Sequence, residues 1–170
     1  GQLDKALISF ETAISLKPED AVAHSNRSNA LLDLGKLDAA VAGYEKAVSI
    51  NPNLFETYSN LGNALKEMGK LREAIDSYQV AINLRPDFAI AHFNLGNALR
   101  DIGRTEDSLT SFRTALHIDP DFSSAHFNLG DLLRNQGRFK EALQCFELSD
   151  TPRGRAGVME CLFVLGEYEK

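Results

Sequence analysis

The sequence predicts an all-α fold, a solenoid built from antiparallel helix pairs. Three observations predict it: a short motif recurs every 34 residues, turn residues recur with the same period, and two amphipathic segments lie between successive turns. The motif reads NLGNAL at residues 60–65, repeats from Asn94, and returns in looser form from Asn128 and Asn26. A fixed period of this size is typical of stacked repeats and not of one globular core.

Turn and aromatic residues keep the same period. A glycine just past a helix end supplies a positive φ, and a proline cannot continue a helix. Between them lie two segments of about 14 residues each, with apolar positions at i, i+3, i+4 and i+7. The co-periodic residues are Pro18, Pro52, Pro86 and Pro120; Gly35, Gly69, Gly103 and Gly137; and Phe10, Tyr44, Tyr78, Phe112 and Phe146.

These residues give the chain a clear resemblance to the tetratricopeptide repeat family. The resemblance implies a right-handed superhelical solenoid, with the first helix of each pair on the concave side, and a role as a protein-interaction module. It covers nearly the full chain, with Ser108 replacing the usual alanine. The family's marker positions are matched by Leu61, Gly62, Leu65, Ala74, Tyr78, Ala81 and Pro86, and by Leu95, Gly96, Leu99, Phe112, Ala115 and Pro120.

The pattern divides the chain into six segments. Residues 1–20 are the second helix of an incomplete repeat, and full repeats follow at 21–54, 55–88 and 89–122. Arg27 and Ser28 depart from the usual leucine and glycine. Residues 123–154 form a repeat with an irregular end, and 155–170 a truncated, shortened one, with a first helix at 155–165 and a second beginning at Glu167. We expect Asn53, Asp87 and Asp121 to cap the first helices.

Composition narrows the classes of partner. The net charge of −6 argues against nucleic acid, which needs a clustered basic face. No apolar run is long enough for a membrane span, and Cys145 and Cys161 have no metal-ligand spacing, so we expect small buried thiols. The chain begins with Gly1 inside a repeat, and we interpret it as a segment of a longer protein.

The first helices carry a polar stripe that points to binding. Spacings of three, four and seven residues put each set on one helical face. The predicted partner-binding amides and carboxylate are Asn26, Asn29, Asn60, Asn63, Asn94, Asn97, Asn128 and Asp131, and Ser25 and Ser59 lie in the same stripe.

Four of these asparagines, Asn26, Asn60, Asn94 and Asn128, share one repeat position, and we call them the asparagine ladder. An amide offers donors and an acceptor, so it can bind the backbone of an extended peptide. The ladder is similar to the one in the repeat region of O-GlcNAc transferase, whose asparagines hold bound polypeptide. The alternative is that these amides bond between neighbouring repeats or are simply solvated.

Two further rows have two interpretations each. Lys66, Arg100 and Arg134 form either a basic rail for acidic ligand groups or local ion pairs on a solvated face. Phe93 and Phe127 are either exposed anchors for a ligand side chain or packing residues against the adjacent repeat.

No catalytic or cofactor signature appears in the sequence. His24, His92 and His126 share one repeat position, but stacked helices lie roughly 10 Å apart, too far for one metal ion, so packing is the better interpretation. Co-chaperone members of this family bind the C-terminal carboxylate of a chaperone with Lys, Arg and Asn side chains. The matching positions of this sequence carry no Lys or Arg, so carboxylate binding of that kind is not expected. We therefore expect no metal and no cofactor.

The sequence thus predicts a scaffold that binds a protein or peptide partner, without enzymatic activity in this segment. One alternative is the substrate-recruiting arm of a larger enzyme, such as a glycosyltransferase or oxygenase. Another is self-association through exposed repeat ends.

Overall fold

A computed structural model describes residues 1–166, and within them the chain forms ten α-helices and no strand. The chain divides into two compact units, Gly1–Asp87 and Phe88–Lys170. The second helix expected from Glu167 lies outside the described residues. None of the helices described combines the length and apolar character that crossing a bilayer requires.

Unit 1 contains five helices, each packed on the next one or two: α1 (Gln2–Leu16), α2 (Ala21–Asp33), α3 (Leu37–Ile50), α4 (Phe55–Glu67) and α5 (Leu71–Leu84). The pairs α2–α3 and α4–α5 pack most closely, and α3 also packs on α4. Tyr44 and Tyr78 are the large, fully buried side chains of this unit, among alanines such as Ala47 and Ala81. Small alanines around a large ring allow the helices to approach closely.

Unit 2 repeats the arrangement with α6 (Ala89–Asp101), α7 (Thr105–Ile118), α8 (Ser123–Asn135), α9 (Phe139–Leu148) and α10 (Pro152–Leu165). Each helix packs on the next, and α10 contacts α8 as well as α9. Phe112 and Phe146 take the places of the two tyrosines, in one core with Leu109, Leu133 and Cys161.

The periodic glycines end helices as predicted. Gly35, Gly69, Gly103 and Gly137 all have positive φ, between 70° and 79°, a conformation that residues with a side chain rarely adopt. Gly166 ends α10 in the same way, with φ 70°.

The predicted caps of the first helices are wrong by one residue. Leu54, Phe88 and Phe122 cap α4, α6 and α8, and none of them bonds through its side chain. These three cap residues are apolar and half-buried. Burial of their side chains therefore outweighs the hydrogen bond that a polar capping side chain would make. The residue before the proline forms the turn instead: Asn51 Oδ1 accepts from the Asn53 amide at 3.1 Å, and Asp119 Oδ1 accepts from the Asp121 amide at 3.2 Å.

The irregular end of the fourth repeat differs from the prediction in one respect. α9 ends at Leu148, and α10 begins at Pro152, three residues before the expected 155. The Thr151 hydroxyl accepts from the Gly154 amide at 2.9 Å, and Pro152 occupies the first helical position, where its missing N–H costs nothing. A strong N-terminal signal therefore starts the helix early.

In the first helices α4, α6 and α8, a glycine faces the buried ring of its repeat. A Cβ added at Gly62 would lie 2.5 Å from a Tyr78 ring carbon, and one at Gly96 would lie 2.7 Å from Phe112. The first full repeat has Ser28 at this position and compensates with Gly43 on the partner helix. A Cβ at Gly43 would lie 2.1 Å from the Ser28 oxygen.

Candidate functional site

Part of the polar stripe on the first helices is explained by packing. Ser25, Ser59 and Asn97 are buried, although the sequence places them in the stripe predicted to bind a partner. The Ser25 and Thr57 hydroxyls share a hydrogen bond of 2.9 Å between α2 and α4. These side chains therefore join neighbouring first helices.

In unit 1 the asparagine ladder takes part in a three-helix hydrogen-bond network. The Tyr44 hydroxyl on α3 donates to Asn29 Oδ1 on α2 at 2.6 Å. Asn60 Nδ2 on α4 donates to the same oxygen at 3.0 Å. One carbonyl oxygen thus accepts from two helices, which fixes the orientation of both amides. Tyr78 donates in the same way to Asn63 Oδ1 at 2.7 Å.

Unit 2 has the same kind of asparagine pair as unit 1, but no ring hydroxyl beside it. Asn128 Nδ2 on α8 donates to Asn97 Oδ1 on α6 at 2.7 Å. Phe112 stands where unit 1 has Tyr44, so no ring hydroxyl can join the pair. The contacts of Asn60 and Asn128 match the second interpretation of the ladder, bonding between neighbouring repeats.

The amide pairs use only part of the hydrogen-bonding capacity of the ladder. An asparagine has two N–H donors and one acceptor oxygen, and Asn60 and Asn128 each commit one donor. Both side chains are half-buried, as is Asn94, which is also engaged in an interaction. Asn26 is exposed. A fixed amide with remaining capacity can still bind a ligand.

The charged row forms local contacts. Arg134 pairs with Asp131 on its own helix and with Glu160 on α10 at 2.8 Å, and its guanidinium lies 5.9 Å from the centre of the Phe146 ring. Arg100 lies 3.7 Å from Asp101, and Lys66 also has an interaction. These contacts favour the ion-pair interpretation over a basic rail.

The ring contacts of Phe93 and Phe127 lie within their own repeats, 89–122 and 123–154, and their role as anchors for a ligand side chain stays a prediction. Phe93 packs against Phe112 and Phe122, with ring centres 5.8 and 4.8 Å apart, and Phe127 packs against Phe146 at 5.9 Å. Both rings are only half-buried, and both line an open cleft. One side of each ring is therefore core and the other is surface.

Each unit has a cleft beside its amide pair. In unit 1 the cleft has a volume of about 120 Å³, with Asn26, Asn29, Asn60 and Glu56 in its lining. In unit 2 it has a volume of about 480 Å³, and its lining is Phe93, Ser124, Phe127, Asn128, Thr151, Pro152 and Arg153. The sequence pattern did not indicate residues 151–153, because they lie where the 34-residue period breaks.

Histidines at the shared repeat position hydrogen-bond to the preceding turn. Nε2 of His24 lies 2.9 Å from the Pro18 carbonyl oxygen, and Nε2 of His126 lies 2.8 Å from that of Pro120. A carbonyl only accepts, so Nε2 carries the proton in both rings. Proline and histidine are six residues apart in both places, and this spacing could have predicted the contact from the sequence. Residues 1–166 contain no cluster of side chains suited to a metal ion.

Burial raises the pKa of one tyrosine and of both cysteines. Desolvation, with smaller contributions from Asp33 and Glu67, raises the pKa of the Tyr44 hydroxyl. Burial raises the pKa of Cys145 to about 11 and also raises the pKa of Cys161. Thiols with raised pKa values are poor nucleophiles at neutral pH, in keeping with the structural role expected for them.

Comparisons with solved structures show the fold. PilF of Pseudomonas aeruginosa superposes with a TM-score of 0.90 at 20% sequence identity, covering 98% of this chain and 78% of PilF. MamA from Desulfovibrio magneticus RS-1 gives 0.79 at 22% identity, covering 96% and 88%. YrrB, described as a TPR protein with an unusual peptide-binding site, gives 0.77 at 24% identity, covering 94% and 85%. No curated protein matches the chain.

Family models match the sequence directly. A model described as TPR repeat matches residues 28–69, 62–99 and 96–137. A second, described as Tetratricopeptide repeat, matches residues 125–153. Together they cover residues 28–153 without a gap, and so the chain belongs to the tetratricopeptide repeat family, whose arrays are protein-interaction scaffolds.

Proposed function

We propose that the first-helix faces of this chain bind an extended or helical segment of a partner polypeptide. Asn60 in unit 1, and Asn94 and Asn128 in unit 2, hold the backbone of bound polypeptide through their side-chain amides. The proposal extends the family's scaffold role to named residues, and YrrB's description as a peptide-binding protein of the same fold supports it.

One observation carries the proposal: a half-buried ladder amide, already fixed by one hydrogen bond, lines an open cleft in each unit. Asn60 is fixed by Asn29 and lines the cleft of unit 1. Asn128 is fixed by Asn97 and lines the cleft of unit 2. A side chain fixed before binding loses little rotamer freedom on binding, so its remaining donor and acceptor bind at lower entropic cost.

Arg100 and Arg134 stay outside the proposed binding set. Both already face carboxylates, and exposed ion pairs contribute only about 0–1 kcal/mol, so neither offers a strong ligand contact.

The test is a pull-down from cell lysate with the chain and its Asn60→Ala, Asn94→Ala, Asn128→Ala triple variant, with captured proteins identified by mass. We expect the triple variant to lose most of the proteins that the natural chain captures reproducibly. The matched control is Asn83→Ala, which removes an exposed amide from the second helix α5 and should change nothing. Unchanged capture by a folded triple variant would contradict the proposal.

The ladder amides also join helices, so folding needs its own measurement. Circular dichroism and urea unfolding of each variant separate a lost contact from a lost fold. Asn26→Ala adds a clean single variant, because the Asn26 side chain is exposed and makes no hydrogen bond within residues 1–166. If Asn26→Ala weakens capture at unchanged stability, the effect arises from binding.

A further inference from the structure

The cleft of unit 2 is larger than that of unit 1, and its lining is different. Its volume of about 480 Å³ falls within the roughly 300–1,000 Å³ of ligand pockets. It lies beside α6 and α8 and takes its remaining wall from Thr151, Pro152 and Arg153 at the start of α10. The start of α10 gives the cleft this wall, as the start of α4 with Leu54 and Glu56 gives one to the cleft of unit 1, but here the wall carries Pro152 and Arg153.

The floor of the cleft is apolar and preorganised. Phe93 is held by Phe112 and Phe122, and Phe127 by Phe146. With Pro152, these rings offer three rigid apolar surfaces around one opening. Such a lining favours a large apolar side chain, because burying one removes its apolar surface from water.

The rim of the cleft is positively charged. Arg153 is exposed and has no ion-pair partner within residues 1–166, while the nearby Asp150 lies 3.5 Å from Arg155. No acidic residue lines the cleft. Arg153 lies in the first turn of α10, where the helix dipole disfavours a cation, so helix stability does not account for it. The charge fits a carboxylate on a ligand.

The cleft of unit 1 has different residues at the equivalent repeat positions. Ser25 stands where unit 2 has Phe93, and it is buried in a hydrogen bond with Thr57. Glu56 stands where unit 2 has Ser124, so the rim is acidic. The cleft there has about 120 Å³, a quarter of the volume in unit 2. The two clefts therefore select different ligand side chains.

We propose that the unit 2 cleft is a side-chain pocket for a bulky apolar residue adjacent to Asp or Glu in a partner peptide. The apolar side chain enters between Phe93 and Phe127, and the acidic neighbour meets Arg153. The inference rests on the proposed function, because it names the class of peptide that the first-helix faces take.

The test uses three synthetic peptides with blocked ends in one Gly-Ser host, carrying Phe-Glu, Phe-Lys or Ala-Glu at the centre. Titrations of the isotope-labelled chain are followed by backbone amide shifts. We expect Phe-Glu to bind about tenfold more tightly than Ala-Glu and about fivefold more tightly than Phe-Lys. The largest shifts should fall on residues 124–128 and 151–154.

Two variants separate the charge from the fold. Arg153→Glu should reverse the order of Phe-Glu and Phe-Lys, and it places a favourable charge in the first turn of α10. Ser124→Glu should weaken Phe-Glu binding about fivefold while also favouring the start of α8. The matched control is Glu45→Ser, which removes an exposed carboxylate from the second helix α3, outside the lining of both clefts, and should leave the affinity for Phe-Glu unchanged.

Each other outcome overturns the pocket. Equal affinities for the three peptides, no binding of any of them, shifts confined to unit 1, or indifference to Arg153→Glu would each contradict it. If the triple asparagine variant loses its partners while the peptides show no preference, the proposed function stands and the pocket falls. If the peptide preference holds while that variant keeps its partners, the pocket stands and the ladder's role falls.

Discussion

At the scale of single residues, the hydroxyl of Tyr44 connects the core to the asparagine ladder. It donates to Asn29 Oδ1 at 2.6 Å, and the same oxygen accepts from Asn60. The ring itself is fully buried, so its packing and its hydroxyl make separable contributions. Unit 2 shows that the ring position tolerates phenylalanine, since Phe112 and Phe146 occupy it there.

Replacing Tyr44 by Phe should lower the free energy of unfolding by about 0.5–1.5 kcal/mol, the usual net contribution of one hydrogen bond. The variant keeps the ring and removes only the donor, and Asn29 keeps its bond with Asn60. Urea unfolding at pH 8 measures the difference. The control is Tyr58→Phe, because Tyr58 makes no hydrogen bond through its hydroxyl within residues 1–166; a loss of similar size there would contradict the prediction.

Tyr44 should also make the chain sensitive to alkali. Burial raises its pKa above the unfolded value of about 10, so the unfolded chain releases this proton first as the pH rises. The contribution is complete below pH about 10 and is lost as the pH rises toward the folded pKa. Urea unfolding at pH about 8 and 10.5 should show a smaller alkaline loss for Tyr44→Phe than for the natural chain. Equal losses would contradict this.

Ser28 on α2 faces Gly43 on α3. In the next repeat the glycine is on the first helix, at Gly62, and the serine is on the second, at Ser77. Gly43→Ser alone should destabilise the fold by about 1–3 kcal/mol, because its Cβ would displace the Ser28 oxygen from its 2.9 Å bond with the His24 carbonyl. The double variant Ser28→Gly, Gly43→Ser recreates the Gly62 and Ser77 pair and should recover most of that loss. Urea unfolding of both single variants and the double variant measures the coupling; strict additivity would contradict it.

At the scale of elements, the break in the period after α9 is the most individual feature of the chain. α9 is 10 residues long where its counterparts in unit 1 and unit 2, α5 and α7, are 14. Ser149 is fully buried, and its hydroxyl donates to the Phe146 carbonyl at 2.8 Å, which ends the helix. Thr151 then starts α10. Two short-range hydrogen bonds thus replace the usual turn and place Arg153 at the cleft.

Thr151→Ala should destabilise α10 by about 1 kcal/mol, because the Gly154 amide loses its cap acceptor. Hydrogen exchange of the α10 amides measures this locally. Thr151→Ser keeps the oxygen and is the matched control. If the alanine and serine variants exchange alike, the hydroxyl is not what holds the start of this helix.

The period predicts the elements well and the site less well, for physical reasons. Positive φ at Gly35 or Gly69 and the close approach at Gly62 follow from local sterics, so the pattern shows them. The bond from Asn60 to Asn29 joins residues 31 apart, and whether an amide faces a ligand or a neighbour depends on packing that no local pattern records. The wall at residues 151–153 lies where the period itself fails.

At the scale of the whole molecule, burial is spread unevenly along the chain. α1 contains no buried residue, and its Ile8 and Leu16 are 65% and 82% exposed. By contrast, α4 carries six buried residues and α5 carries five. In repeat arrays stability is a sum of local and neighbour terms, so an element with little buried surface opens independently. The folded chain therefore holds helices of very different local stability.

Native-state hydrogen exchange should resolve this difference within unit 1. We expect the amides of α1 to exchange about 100-fold faster than those of α4 and α5, because opening α1 exposes little apolar surface. Ile8→Gln is the matched control: it changes an exposed side chain and should leave the protection of α4 and α5 unaltered. Equal protection of α1 and α4 would mean that unit 1 opens only as a whole, because helices that open independently cannot share one exchange rate set by global unfolding.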